Sequence, residues 1–198
     1  MDSHYFVNDD NLGSKPALFD YAHGKHAYAF ATDSGVFSKS GMDANSELLL
    51  QSIREPRGSL LDLGCGYGCV GIVLAKEYGL TLTMADVNMR AVRLAEINAR
   101  RNGLAAEAVV SDGYAKIHGE FETITLNPPI KAGKKTVYAL YEGAVLHMRR
   151  GGKFYVVISK RHGAESTRRK LAEVFGNCET ICKRSGSFVY CCERLSIC

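Results

Sequence analysis

From residue 59 onward the sequence alternates short apolar runs with amphipathic segments, and this alternation restricts the fold more than any other feature. SLLDLG (59–64), TLTMAD (81–86), AEAVVSD (106–112), ETITLN (122–127) and KFYVVIS (153–159) read as strands. VGIVLAKEY, MRAVRLAEINARRNG, VYALYEGAVLHMRRGG and AESTRRKLAEVFG read as helices; Gly103 closes the second, and the third runs to Gly151-Gly152. Near-continuous apolar strands of this length are buried on both faces, and helical crossovers make neighbouring strands parallel. The expectation is an α/β fold with a doubly wound, mostly parallel sheet. CETICKR and SFVYCCERL, joined by Arg184-Ser185-Gly186, predict a closing hairpin with an antiparallel last strand.

Residues 1–40 follow a different pattern. LFDYAHGKHAYAFATD predicts two strands around a His23-Gly24-Lys25 turn, and GMDANSELLLQSI predicts a helix capped near Asp43. The expected organisation is therefore a hairpin extension over 1–40, too short to fold alone, packed on a main domain over 41–198. No apolar run approaches the roughly 18 residues of a membrane span, and no secretory signal pattern opens the chain, which points to a cytoplasmic protein without a membrane partner.

The stretch LLDLGCGYGCVGI places Gly64, Gly66, Gly68 and Gly71 at a strand-to-helix turn, after Asp62 in the strand. Glycines there let backbone approach a ligand closely, and the helix amino terminus favours anionic groups. Gly66-x-Gly68-x-x-Gly71 satisfies a dinucleotide fingerprint, with Asp86 near the spacing of a ribose-binding acid, so a nicotinamide enzyme is a rival reading. Asp62 opposes it: a carboxylate there repels a pyrophosphate but can organise a ligand with a cationic amino group. A Walker loop is excluded, because Gly133-Lys134 is followed by Lys135 and Pro128 stands where the first glycine belongs.

LNPPIKAGKK raises a separate question. A buried strand ends in Asn127 and is followed by Pro128 and Pro129, which fix φ and cannot pair in a ladder. The chain is expected to leave the sheet in an extended, rigid conformation that holds the Asn127 side chain and the Pro128 carbonyl as fixed acceptors. That edge is where open α/β sheets bind ligands.

With 25 Lys and Arg against 21 Asp and Glu, the net charge of +4 permits a polyanionic partner without demanding one. Lys131, Lys134 and Lys135 adjoin the Asn-Pro-Pro turn, while Arg149-Arg150, Lys160-Arg161 and Arg168-Arg169-Lys170 read as solvated faces. The seven cysteines form no CxxC pair and lack His partners, so they read as reduced core thiols rather than metal ligands.

Taken together, TDSGVFS (32–38), LLDLGCGYGCVGI (60–72), MADVN (84–88), SDG (111–113) and LNPPIKAGKK (126–135) resemble class I S-adenosylmethionine-dependent methyltransferases. The resemblance is to the small-domain kind that includes the bacterial ribosomal RNA guanine-N2 methyltransferases. It implies a Rossmann-like methyltransferase sheet and S-adenosyl-L-methionine as cofactor. The best-known members carry a second, degenerate domain before the active one, which is not expected in this chain.

Carried onto this sequence, the resemblance implies that Asp62, Gly64, Cys65, Gly66 and Gly68 wrap the methionine part of the cofactor. Asp86, with Val87 and Asn88, holds the ribose hydroxyls, and Ser111, Asp112 and Gly113 meet the adenine. Phe37, within Gly35–Ser38, closes over the cofactor. Asn127, Pro128 and Pro129 form the catalytic turn, with Asn127 also beside the cofactor, and Ile130, Lys131, Lys134 and Lys135 meet the RNA. The implied partner is ribosomal RNA or a ribosomal particle. Ile130 replaces the aromatic residue usual in adenine and glutamine methyltransferases with this turn, and Phe37 or Tyr138 is left to supply stacking. Transfer to adenine or glutamine, and a catalytically silent binding protein on the same fold, are the alternatives.

Overall fold

A computed structural model describes residues 13, 15–36 and 41–195 of the chain. Its first elements are the strands β1 (Ala17–His23) and β2 (His26–Thr32) and the helix α1 (Ala44–Ser52). There follow β3 (Ser59–Leu63), α2 (Cys69–Tyr78), β4 (Thr81–Asp86), α3 (Met89–Arg101), β5 (Ala106–Val110) and β6 (Phe121–Leu126). The chain ends with α4 (Lys134–Leu146), β7 (Met148–Ser159), α5 (Ala164–Phe175), β8 (Glu179–Arg184) and β9 (Ser187–Glu193).

Seven strands form one sheet in the order β5-β4-β3-β6-β7-β9-β8. β5, β4, β3, β6 and β7 are parallel, and β9 runs antiparallel to both its neighbours. The mostly parallel, doubly wound sheet with an antiparallel last strand is therefore present, and the closing hairpin is threaded so that its second strand lies inside its first.

Alternate residues of each strand feed two cores. Leu60, Leu82, Met84, Tyr155 and Val157 pack under α1, α2 and α3, while Leu61, Leu63, Leu126, Phe154 and Val156 pack under α4 and α5. The expected helix through Gly152 is shorter: α4 ends at Leu146, and Met148–Gly152 open β7. The apolar spacing Val137, Tyr141, Ala144, Met148 fits a helix throughout, but Met148 is claimed by strand pairing with Phe121.

β1 and β2 form a separate antiparallel pair turning at Gly24-Lys25. Asn98 on α3 and Asn102, which caps its end one turn later, take the place of a third strand beside β2. Asn98 accepts from Ala31 N (2.7 Å) and donates to Ala31 O (2.8 Å). Asn102 does the same with Ala29, at 3.1 and 3.0 Å. The exposed strand edge is thereby satisfied by side-chain amides, and the chain beyond Thr32 is aimed toward the carboxyl edge of the main sheet.

Candidate functional site

The sheet reverses its winding between β3 and β6, and loops at such a switch point diverge and leave a crevice at the strands' carboxyl ends. The parallel registers Leu63↔Ala85, Leu63↔Leu126 and Asp86↔Val110 bring Gly64, Asp86, Ser111 and Asn127 to one edge. A cavity of about 350 Å3 opens there. Its wall includes the predicted residues Asp62, Gly64, Cys65, Gly66, Asp86, Val87, Asn88, Ser111, Asp112, Gly113, Asn127 and Pro129.

The glycines of the turn have different jobs. Gly66 has a φ of +56°, and a Cβ added there would meet nothing within 4 Å, so its backbone lies open to the cavity. Gly68, expected at the cofactor, is absent from the cavity wall. A Cβ on it would meet Met84 Sδ at 2.8 Å and Ala95 Cβ at 3.2 Å, so it serves the close packing of the turn on β4 and α3.

Asp86 ends β4 with its carboxylate held from both sides. Gly66 N donates to Oδ2 and Asn88 N to Oδ1, both at 2.9 Å. Burial pushes its pKa up, against the lowering effect of these backbone donors. Each oxygen keeps a lone pair for a ligand hydroxyl. Asn88 caps α3 through Arg90 N and Ala91 N and donates to Gly35 O at 2.9 Å, so its side chain anchors the segment through Gly35. Arg90 donates to Ser34 O at 2.8 Å, and Val36 from that segment reaches the cavity wall. Phe37 and Ser38 lie outside the described residues.

Asp62 is only 4% exposed, and both its oxygens already accept, Oδ2 from Gly71 N and Oδ1 from Thr125 Oγ1, each at 2.9 Å. Burial raises its pKa to about 6, outweighing those two hydrogen bonds, and the Asp86 charge adds to the rise. Asp62 thus ties β3 to α2 and β6 while bordering the cavity. Ser111 mostly builds its own turn: its hydroxyl donates to Gly113 O and accepts from Lys116 N. Burial drives the Cys65 and Cys69 thiols well above their ordinary range, which suits inert wall residues better than nucleophiles.

At the Asn-Pro-Pro turn the structure departs from expectation in two ways. The chain does not stay extended: Ile130–Ala132 form a 3-10 turn immediately after Pro129. The Pro128 carbonyl is not a free acceptor either, because Ile130 N donates to it at 2.9 Å, which leaves one lone pair, and Pro128 is not in the cavity wall. Ile130 packs toward the core under α4. Tyr138 lies between Lys134 and Lys170 and donates to Ser166 O, away from the cavity. Lys131, Lys134 and Lys135 are exposed outside the wall, flanking its members Ala132 and Thr136.

Asn127 itself faces the cavity with its amide nitrogen occupied. Nδ2 donates to Ser46 Oγ at 3.1 Å and approaches Asp43 Oδ1 at 3.5 Å. Asp43, Ser46 and Leu49, from the cap and body of α1, also line the wall, and none of them was singled out for the site by the sequence reading, which took Asp43 only as a helix cap. The available signal was three short polar residues, Asp43, Asn45 and Ser46, where a cap needs one.

A family model described as "Methyltransferase small domain" matches residues 27–191. The Bacillus subtilis protein named "Uncharacterized protein YbxB" is 37% identical over 195 residues, 96% of this chain and 97% of that protein. "Ribosomal RNA small subunit methyltransferase C" of Aeromonas hydrophila is 48% identical over 109 residues, 54% of this chain and 32% of the enzyme. Among solved structures, a Thermus thermophilus 16S rRNA N2 G1207 methyltransferase in complex with AdoMet and guanosine superposes with a TM-score of 0.82 at 27% identity. That match covers 92% of this chain and 52% of the other, so the chain spans about half or less of these two functionally named relatives.

Proposed function

Since the chain belongs to the methyltransferase small domain family, we propose that it transfers a methyl group from S-adenosylmethionine to the exocyclic N2 amine of a guanine in ribosomal RNA. The observation that carries this reading is the Asn127 amide, whose nitrogen is turned onto Ser46 and Asp43, so that its oxygen is left for a donor in the cavity.

The cavity fits the cofactor on its own features. Its open Gly66 backbone gives room for the methionine part, and the Asp86 carboxylate, fixed by two N–H groups, offers lone pairs to two ribose hydroxyls. Val36 belongs to the same wall, and the Gly35 carbonyl beside it is held by Asn88. When bound, S-adenosylmethionine supplies an electrophilic sulfonium methyl whose donor is left as a neutral thioether.

This chain's part is positioning. An aromatic exocyclic amine is a weak nucleophile because its lone pair is delocalised into the ring. Asn127 Oδ1 accepts one N–H, turns the nitrogen toward the methyl, and offsets the positive charge that grows there. The Pro128 carbonyl, bonded to Ile130 N and outside the cavity wall, takes no part in this, so Asn127 is the acceptor the site offers. The methylated nitrogen is a strong acid and passes its proton to solvent water after transfer, so no basic side chain has to act first, and no histidine among the described residues borders the cavity.

Charge placement favours a polyanionic substrate. Among the described residues Lys134, Lys135, Lys160 and Arg161, exposed at the carboxyl edge, enter no ion pair; Arg149 and Arg194 at the opposite edge pair with Glu122 and Glu120, although Arg150 there does not. The matched functionally named relatives, a ribosomal RNA methyltransferase and a structure holding AdoMet and guanosine, support the same reading. The test is to incubate the protein with labelled cofactor and ribosomal RNA from cells that lack it, then identify nucleosides by mass. N2-methylguanosine is expected; label on adenine, on a ring carbon or only on protein glutamine refutes the substrate.

A further inference from the structure

We infer that Ser46 and Asp43 act as positioning residues that lock the Asn127 amide with its oxygen toward the substrate, and so make the site selective for an amine over a carbonyl. The inference rests on the reading of Asn127 as the acceptor for the substrate amine.

A primary amide has nearly the same shape with its oxygen and nitrogen exchanged, so only its partners decide which end faces outward. One partner here leaves no choice. The Asp43 carboxylate accepts and cannot donate, and its Oδ1 is 3.5 Å from Asn127 Nδ2. A flipped amide would point oxygen at carboxylate. The Ser46 hydroxyl, 3.1 Å away, gives the amide N–H a better-placed acceptor and sets its plane. Ser46 is 7% exposed, so water does not readily substitute for its hydroxyl.

The lock is itself held. Asp43 caps α1 by accepting from Asn45 N at 3.0 Å and Ser46 N at 3.2 Å, so the carboxylate cannot swing away without uncapping the helix. Asn45 fastens the same turn to the sheet: Ser187 Oγ donates to its Oδ1 at 2.7 Å, and its Nδ2 donates to Ser159 Oγ at 3.4 Å. The start of α1 is thereby tied to the last residue of β7 and the first residue of β9, one and two strands beyond β6. The fixed amide oxygen attracts an N–H donor and repels a ring carbonyl, which is the distinction between the amine and oxo groups on the same purine edge. With the amide free to flip, part of the population presents NH2 to the substrate and is unproductive.

The test compares Ser46→Ala, Asp43→Asn and Asn127→Ala with the native chain in single-turnover methyl transfer to ribosomal RNA, alongside calorimetric titration with S-adenosylmethionine. Asn at 43 keeps the helix cap but brings an N–H that a flipped amide can accept. The expected result is a loss of about five- to tenfold in turnover for Ser46→Ala and for Asp43→Asn, the size of one neutral hydrogen bond. Cofactor affinity should stay within twofold. In the Asn127→Ala background, Ser46→Ala should cost nothing further, because the group it positions is gone. Full turnover in Ser46→Ala and Asp43→Asn overturns the inference. So does a Ser46→Ala loss that multiplies with that of Asn127→Ala, or one matched by an equal loss of cofactor affinity. Full activity in Asn127→Ala alone would instead strike the proposed function.

Discussion

Replacing Asp62 with Asn should stabilise the ligand-free protein at neutral pH by an amount that disappears in acid. Asp62 lies 4% exposed between the Gly71 N–H and the Thr125 hydroxyl, and burial raises its pKa from the ordinary 3.8 to about 6. In the unfolded chain the carboxyl titrates near its ordinary value. Between about pH 4 and 6 the folded protein therefore holds a proton that the unfolded chain has released, and stability falls as pH rises through that window. A shift of about two units at 1.36 kcal/mol per unit amounts to about 3 kcal/mol, fully lost above about pH 6. Asn does not titrate, and its oxygen can accept from Gly71 while its NH2 donates to the Thr125 hydroxyl. Urea unfolding from pH 4 to 8, with and without the substitution, should show a difference that grows by about 3 kcal/mol across the window. A difference that stays constant with pH would refute the assignment of the elevated ionisation to Asp62. The same carboxyl gives a second readout: if a ligand ammonium lies beside it, cofactor affinity in the native chain should weaken as pH falls below about 6, and Asp62→Asn should remove that dependence.

Three further outcomes follow from the site. Asn127→Ala should lower methyl transfer by about 10²–10³, as loss of a preorganised polar partner does, with cofactor affinity nearly unchanged by calorimetric titration; equal losses in both would move Asn127 to a binding role. Asp86→Ala should weaken S-adenosylmethionine by about 1.5–3 kcal/mol, because two hydroxyls lose a charged acceptor; unchanged affinity, or preference for NADH, would contradict the ribose assignment. Changing Lys131, Lys134 and Lys135 together to Gln should flatten the salt dependence of RNA binding by about 0.7 in slope per lost single-strand phosphate contact. An unaltered slope in a filter-binding titration would return them to an ordinary solvated surface.

The parts of the molecule that were legible in the sequence depend on neighbours along the chain. Strand alternation, the Gly66 turn, the Asp86 that ends β4 and the Asn127 that ends β6 all follow from period, turn chemistry and position at a strand end. What escaped depends on groups brought together from far apart. The apolar spacing that carries α4 does not stop at Leu146, and only pairing with Phe121 turns Met148 into strand. Asn98 and Asn102 read as ordinary helix positions, yet their partners are 67 and 73 residues away in β2. The Pro128 carbonyl looked free because a double proline discourages helix, whereas Ile130 turns back to use it at once.

The start of α1 shows why such a miss is physical rather than a matter of pattern. Capping needs one short polar side chain and occupies part of one carboxylate oxygen. Asp43 meets that need, and nothing local tells Asp43 or Ser46 to do more. Their second task exists only because Asn45 docks the helix start against Ser159 and Ser187, which lie 114 and 142 residues away, and this docking brings Ser46 against an amide 81 residues distant. The surplus of polar residues over what a cap requires is the trace of that task in the sequence. Its meaning depends on which strand end the helix covers, and here that strand is the one ending in Asn127.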